Sequence, residues 1–276
     1  MRCASLAAME LTQAALDDLL AHLGPGDAPV YLPGEVGRHE LTELLAGRYG
    51  APRTLVLNGA TDPTVDDSKG AALLAPFAGR AVTIRAWADG ARWIGAGSAL
   101  DGEGVERAVL TATPRALPEV LAVAPGQAPE DVDWMARLVR VTGWERPERR
   151  PDPDWAEIET RLGTPLPDDY KRMVGTFGRG AFDGWLDLNA EPWTSLREDG
   201  LLIWASTEHE DLYGWRLDGD DPDRWPVVVR SFDNVDTSFP YGAAAFVCRV
   251  LVDPHHRYSM ARFSETHWFA GEEVED

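Results

Sequence analysis

The chain has 276 residues and a mass of 30.3 kDa, with 44% hydrophobic and 26% charged residues. That is ordinary globular usage, which excludes fibrous and disordered classes, and the length suits two domains. Asp plus Glu number 46 against 26 Lys plus Arg, a formal charge of −20. Such a surface repels a phosphate backbone and an anionic membrane, and it attracts and steers a basic protein.

No apolar run approaches the roughly 18 residues of a membrane helix. The opening residues, 1–9, contain Arg2 but no long apolar core before Glu10, so no signal peptide is expected. Cys3 and Cys248 are the only cysteines, too few for a disulfide scaffold, and a reducing cytoplasm is the expected location.

Taken along the chain, Leu11, Ala15, Leu19 and Leu23 recur at helical spacing and Gly24-Pro25-Gly26 stops that helix. A second helix is predicted over 40–49, with Leu41, Leu44 and Leu45 on one face. Residues 54–57 read as a short strand. Residues 81–87 and 92–95 flank Ala88-Asp89-Gly90-Ala91 as a hairpin, since Asp-Gly accepts the positive φ of a tight turn, and 108–113 can add a third strand. A Pro/Gly/Ala stretch at 122–129 reads as a linker, predicting a small α+β domain over 1–125 and a second domain over 126–276. The first part carries 15 acidic and 10 basic residues, net −5; the second carries 31 and 16, net −15, together with nine of the 11 tryptophans.

In the second part, Trp134, Leu138 and Val141 share a helical face, and 143–153, with its prolines and charges, reads as a loop. Asp152 or Asp154 can cap a helix with Trp155, Ile158 and Leu162 inward. Pro167 opens the next helix, which turns Tyr170, Met173, Val174 and Phe177 inward and stops at Gly178. Strands are predicted at 185–188, 201–205 and 227–229, and a last helix over 242–252.

Residues 155–180 read W-A-E-I-E-T-R-L-G-T-P-L-P-D-D-Y-K-R-M-V-G-T-F-G-R-G. An amphipathic helix ending in Leu162-Gly163, then Leu166-Pro167-x-x-Tyr170 opening a second helix, then the exit through Gly178 and Gly180, resembles the signature of the SUKH superfamily. That group includes the Smi/Knr cell-wall regulators and many bacterial toxin-immunity proteins. Asp211-Leu212-Tyr213-Gly214-Trp215, then 218–226, then Ala244-Ala245-Phe246-Val247 are similar to its strand, loop and final helix, so the resemblance spans roughly residues 130–270. It implies an α+β domain with a mostly antiparallel sheet packed by helices, and a binding module rather than an enzyme. Residues 1–125 resemble no family. The signature residues are core and cap types, so the signature identifies a fold and marks no site.

The candidate partner-binding residues are Glu208, Glu210, Asp211, Tyr213, Trp215, Asp218, Asp220, Asp221, Asp223 and Trp225. Rings supply anchors, and carboxylates pair with Lys or Arg. The competing reading is a strand with core rings leading into a solvated acidic turn. Residues 218–229 do not follow a calcium loop, because Pro222, Asp223 and Val229 stand where it needs an oxygen ligand, Gly and Glu. His209, His255, His256 and His267 with two distant cysteines have no zinc spacing, and His255-His256 is expected in a polar loop. There is no Gly-x-Ser-x-Gly elbow and no phosphate-binding Gly-x-x-x-x-Gly-Lys. The expectation is therefore a non-catalytic module with no cofactor and no metal, which binds a basic protein and neither nucleic acid nor membrane. The leading reading is an immunity protein covering a basic toxin such as a nuclease; the alternative is a regulatory or scaffold protein for an endogenous partner.

Overall fold

The computed structural model describes residues 11–34, 37–124, 127–128, 131–145 and 153–272. The fold is α+β. It falls into two compact units, Met1–Leu117 and Pro118–Asp276, each built on one antiparallel sheet with helices packed on it. The division lies at Leu117/Pro118, ahead of the 122–129 stretch, because the turn Glu119–Leu121 buries Leu121 with the second unit. No helix among the described residues is long and apolar enough to cross a membrane.

In the first unit, helix α1 (Gln13–His22) starts where Thr12 accepts from the Ala15 amide. It buries Leu16 and Leu20, with Leu11 and Leu23 at its ends. The predicted Ala15 and Leu19 sit at the margin of that stripe, because the apolar row shifts by one position toward the sheet. Helix α2 (Arg38–Tyr49) buries Leu41 and Leu45. The strands are β1 (Val30–Tyr31), β2 (Arg53–Leu57), β3 (Ala60–Thr61), β4 (Ala81–Asp89), β5 (Arg92–Leu100) and β6 (Glu106–Pro114), in sheet order β1-β6-β5-β4-β2-β3. The β4–β5 hairpin is longer than predicted, and Gly90 alone takes the positive φ, 54°, while Asp89 stays in the strand opposite Arg92. Arg92 ties this corner together, donating to the Leu20 and Leu23 carbonyls at the end of α1 and pairing with Asp89. One sheet face meets α1 and α2 through Trp87, Ile94 and Leu110; the other packs on Leu73 and Phe77 of the 3-10 stretch Ala71–Phe77.

In the second unit, Asp133 caps helix α3 (Trp134–Thr142) and Asp154 caps α4 (Trp155–Leu162) by accepting amides three residues on. Residue Asp152, the alternative cap, lies outside the described residues. Helix α5 (Asp168–Phe177) follows Pro167, which occupies the cap position instead of the first helical turn. Helix α6 (Ala243–Val252) is buried nearly all round, from Ala243 through Cys248, Val250 and Leu251. The sheet contains β7 (Gly180–Phe182), β8 (Leu186–Trp193), β9 (Leu201–Thr207), β10 (Leu212–Arg216), β11 (Val227–Arg230), β12 (Asp236–Phe239) and β13 (Phe269–Gly271), in order β12-β11-β10-β9-β8-β7-β13.

Tyr170 on α5 is fully buried and meets Trp215 of β10 edge-on at 5.0 Å, Trp204 of β9 at 6.5 Å and Trp155 of α4 at 6.0 Å. Its hydroxyl donates to the Asn189 carbonyl of β8 at 2.7 Å. Phe246 of α6 continues the ring cluster to Trp204 and Tyr213. Between Tyr213 and Trp215 only glycine fits, since a Cβ on Gly214 would lie 2.7 Å from the Leu202 carbonyl oxygen.

Replacing Tyr170 with Phe strands the buried Asn189 carbonyl while keeping the ring, so Tyr170→Phe should lower stability by about 1–3 kcal/mol in urea unfolding with an unchanged m-value. A loss of less than about 0.5 kcal/mol would show that this bond does not hold α5 to the sheet.

Candidate partner-binding surface

The ten predicted residues do not form one surface. Tyr213, Trp215 and Trp225 are 2%, 0% and 5% exposed, so none can anchor a partner. They are core rings: Tyr-x-Trp alternation on β10 turns both rings toward α5 and α6, and Trp225 closes the β10–β11 connection by donating to the Gly219 carbonyl at 3.1 Å. The competing reading holds for these three. The carboxylates remain outside, with Glu208, Glu210, Asp218, Asp220, Asp221 and Asp223 exposed and Asp211 half-buried.

They divide between the two ends of β10, whose five residues span about 13 Å at ~3.3 Å per residue. Asp218, Asp220, Asp221 and Asp223 lie in the β10–β11 connection. There Asp223 accepts from the Asp168 amide at the start of α5, at 2.6 Å, and Asp221 accepts from the Asp223 amide and pairs with Arg224. That end is partly committed to holding its own fold. Glu208, Glu210 and Asp211 form the β9–β10 turn, where Glu208 and Glu210 make no ion pair among the described residues.

Antiparallel order brings alternate connections to one end of a sheet. The β7–β8 turn (183–185), the β9–β10 turn and the β11–β12 turn (231–235) therefore emerge together. Trp185 of the first turn packs edge-on against His209 of the second at 4.5 Å and stacks on Phe263 at 6.4 Å. Trp268 lies against Gly184, and both its main-chain groups are bound to Asp183: the Trp268 amide donates to Asp183 Oδ1 and its carbonyl accepts from the Asp183 amide. Asp183 also holds His267 Nδ1 at 2.8 Å in a largely buried pair. Asp183 adopts a left-handed φ of 53°, which this set of bonds maintains.

Burial, then the nearby charges of Glu272 and Glu208, push the Asp187 carboxyl above the usual range, with Arg179 only partly offsetting them. Asp211 is also raised, by burial, against the Phe232 amide that donates to it. Sequence reasoning missed the rings at this end: Phe263, Phe232 and Trp268 are 84%, 67% and 46% exposed. The signal of Phe232 and Phe263 is weak, a single ring between polar neighbours, as in Arg262-Phe263-Ser264, and Trp268 stands next to the core ring Phe269. His255 and His256 lie in a turn after α6, as expected, but His256 is not in a polar setting: it is buried among Phe239, Phe246 and Tyr258 and meets the Tyr241 hydroxyl at 3.1 Å.

Elsewhere in this unit an open groove of about 680 Å³ is lined by Met135, Ala136, Trp155, Lys171 and Arg172. Its cations are engaged, Lys171 with Glu159 and Asp168, and Arg172 with Asp133.

Comparison with protein-family models, with curated proteins and with solved structures returned no match.

A raised carboxyl is more easily ionised unfolded than folded, so its charge opposes folding as pH climbs through the folded value, and that cost is absent below the unfolded value. Asp187→Asn should therefore raise the melting temperature at pH 7 and leave it unchanged near pH 3; an equal change at both pH values would contradict the assignment. Trp215→Ala should lower stability by about 3–5 kcal/mol, whereas Asp218→Asn with Asp220→Asn should stay within about 0.5 kcal/mol, both read by urea unfolding.

Proposed function

We propose that this chain is a non-catalytic, cytoplasmic protein-binding module that neutralises a basic toxin, a nuclease above all, by covering its working surface. The observation that carries this reading is the charge: −15 falls on residues 126–276, and the exposed carboxylates at 208–210 and 218–223 stand on turns projecting from a sheet whose Trp204, Tyr213 and Trp215 rings are locked inward. A rigid acidic scaffold suits fast, steered capture of a basic protein. The resemblance of residues 155–180 to the SUKH signature supports the same reading, as toxin neutralisation is a common role in that superfamily. The groove beside α3 and α5 offers paired ions and one hydroxyl, Thr176, which suits a scaffold better than a nucleophile with its base.

The experiment is co-expression with the product of the neighbouring gene, with growth and complex formation as readouts. The reading predicts rescue of growth by the chain and a complex whose affinity falls at least about tenfold between about 0.05 M and about 0.5 M salt, as screening shortens. A basic toxin that remains toxic and unbound would contradict it. Tight binding to an endogenous protein, unchanged across that salt range, would favour the regulatory reading instead.

A further inference from the structure

The end of the second sheet that carries the β7–β8, β9–β10 and β11–β12 turns gathers bare rings together with carboxylates that have no ion pair among the described residues. Contacts and chain adjacency connect the strip. Trp268 lies on Gly184; Trp185, next in the chain, touches both His209 and Phe263; and Asp211 of the His209 turn takes the Phe232 amide. Phe263 and Phe232 expose 84% and 67% of their surface, a costly display for large apolar rings unless something covers them. Glu208 and Glu210 flank His209 and Asp187 feels the charge of Glu208, and none of the three has an ion pair among the described residues. Of the cations nearby, Arg179 is engaged by Glu272 at 2.9 Å and Arg257 lies over the Tyr258 ring.

We propose that this turn end is the docking face for the protein partner, and that its occupant is an arginine-bearing basic segment. A guanidinium stacks on an aromatic face and donates to a carboxylate lying in its own plane, so rings and acids together match it better than either alone. An acidic segment would meet uncompensated like charge here. The inference rests on the proposed binding function and assigns it a surface. It moves the site away from residues 218–225, where the aromatic partners are buried and the acids cap local structure.

The assignment is tested with the full chain and a fluorescein-labelled nona-arginine peptide, by fluorescence anisotropy at about 0.05 M salt. Phe263→Ala should weaken binding about two- to fivefold and Glu208→Gln with Glu210→Gln about tenfold, while the matched removal of two charges, Asp218→Asn with Asp220→Asn, should change it less than about twofold. All of these side chains are exposed, so unchanged far-ultraviolet circular dichroism and melting temperature verify that the variants fold. Equal weakening from the two pairs of charge changes, or no effect of Phe263→Ala, would overturn the face while salt-dependent binding by the unaltered chain left the broader function standing. Absence of any peptide binding by the unaltered chain would overturn both.

Discussion

Contact between Tyr170 of α5 and Trp215 of β10, rings edge-on at 5.0 Å, is the interaction on which the second unit depends. It fixes which face of the sheet is inside. Trp204, Tyr213 and Phe246 join it, and each ring constrains the next. The Trp204 and Trp215 indole N–H groups have no acceptor among the described residues. An unsatisfied donor costs about 1–3 kcal/mol, whereas burying an indole of ~200 Å² contributes about 5 kcal/mol at ~25 cal/mol per Å². Apolar burial wins, and the rings stay in.

Once those rings are committed inward, the connections at either end of β10 carry the exposed carboxylates. The two ends of the sheet then diverge. Residues 218–225 form a compact turn in which Asp221 and Asp223 cap backbone amides, including the first amide of α5, so their charge serves the fold. At the other end Asp183 restrains Trp268 and His267, and in doing so holds an exposed indole against Gly184, whose neighbour Trp185 meets the His209 and Phe263 rings. Like charges at Asp187, Glu208 and Glu272 remain close there, a strain that a basic partner would relieve. On the proposed reading, stability and recognition draw on different carboxylates of one acidic chain.

Much of this was legible in the sequence, for physical reasons. The α+β class, the helices and the inward face of α5 follow from 3.6-residue periodicity, Asp caps and glycine stops. The strands β7, β12 and β13 have only three or four residues and carry no alternation long enough to detect; pairing with distant segments creates them. The acidic surface is read directly from the charge, whereas for Tyr213 and Trp215 the sequence offered both an anchor and a core reading and did not decide between them. Their spacing places both on one face of a strand, and only the packing of α5 and α6 decides that this face is the core. Phe232 and Phe263 show the converse, since an isolated ring in a polar segment has no periodicity to reveal its exposure.

Backbone hydrogen exchange of the full chain, with and without an arginine-rich peptide, measures the central claim most directly. Slower exchange confined to residues 183–187, 208–211 and 231–235 is the result this account predicts. Protection over residues 218–225 instead, or an unchanged pattern despite binding, would contradict it.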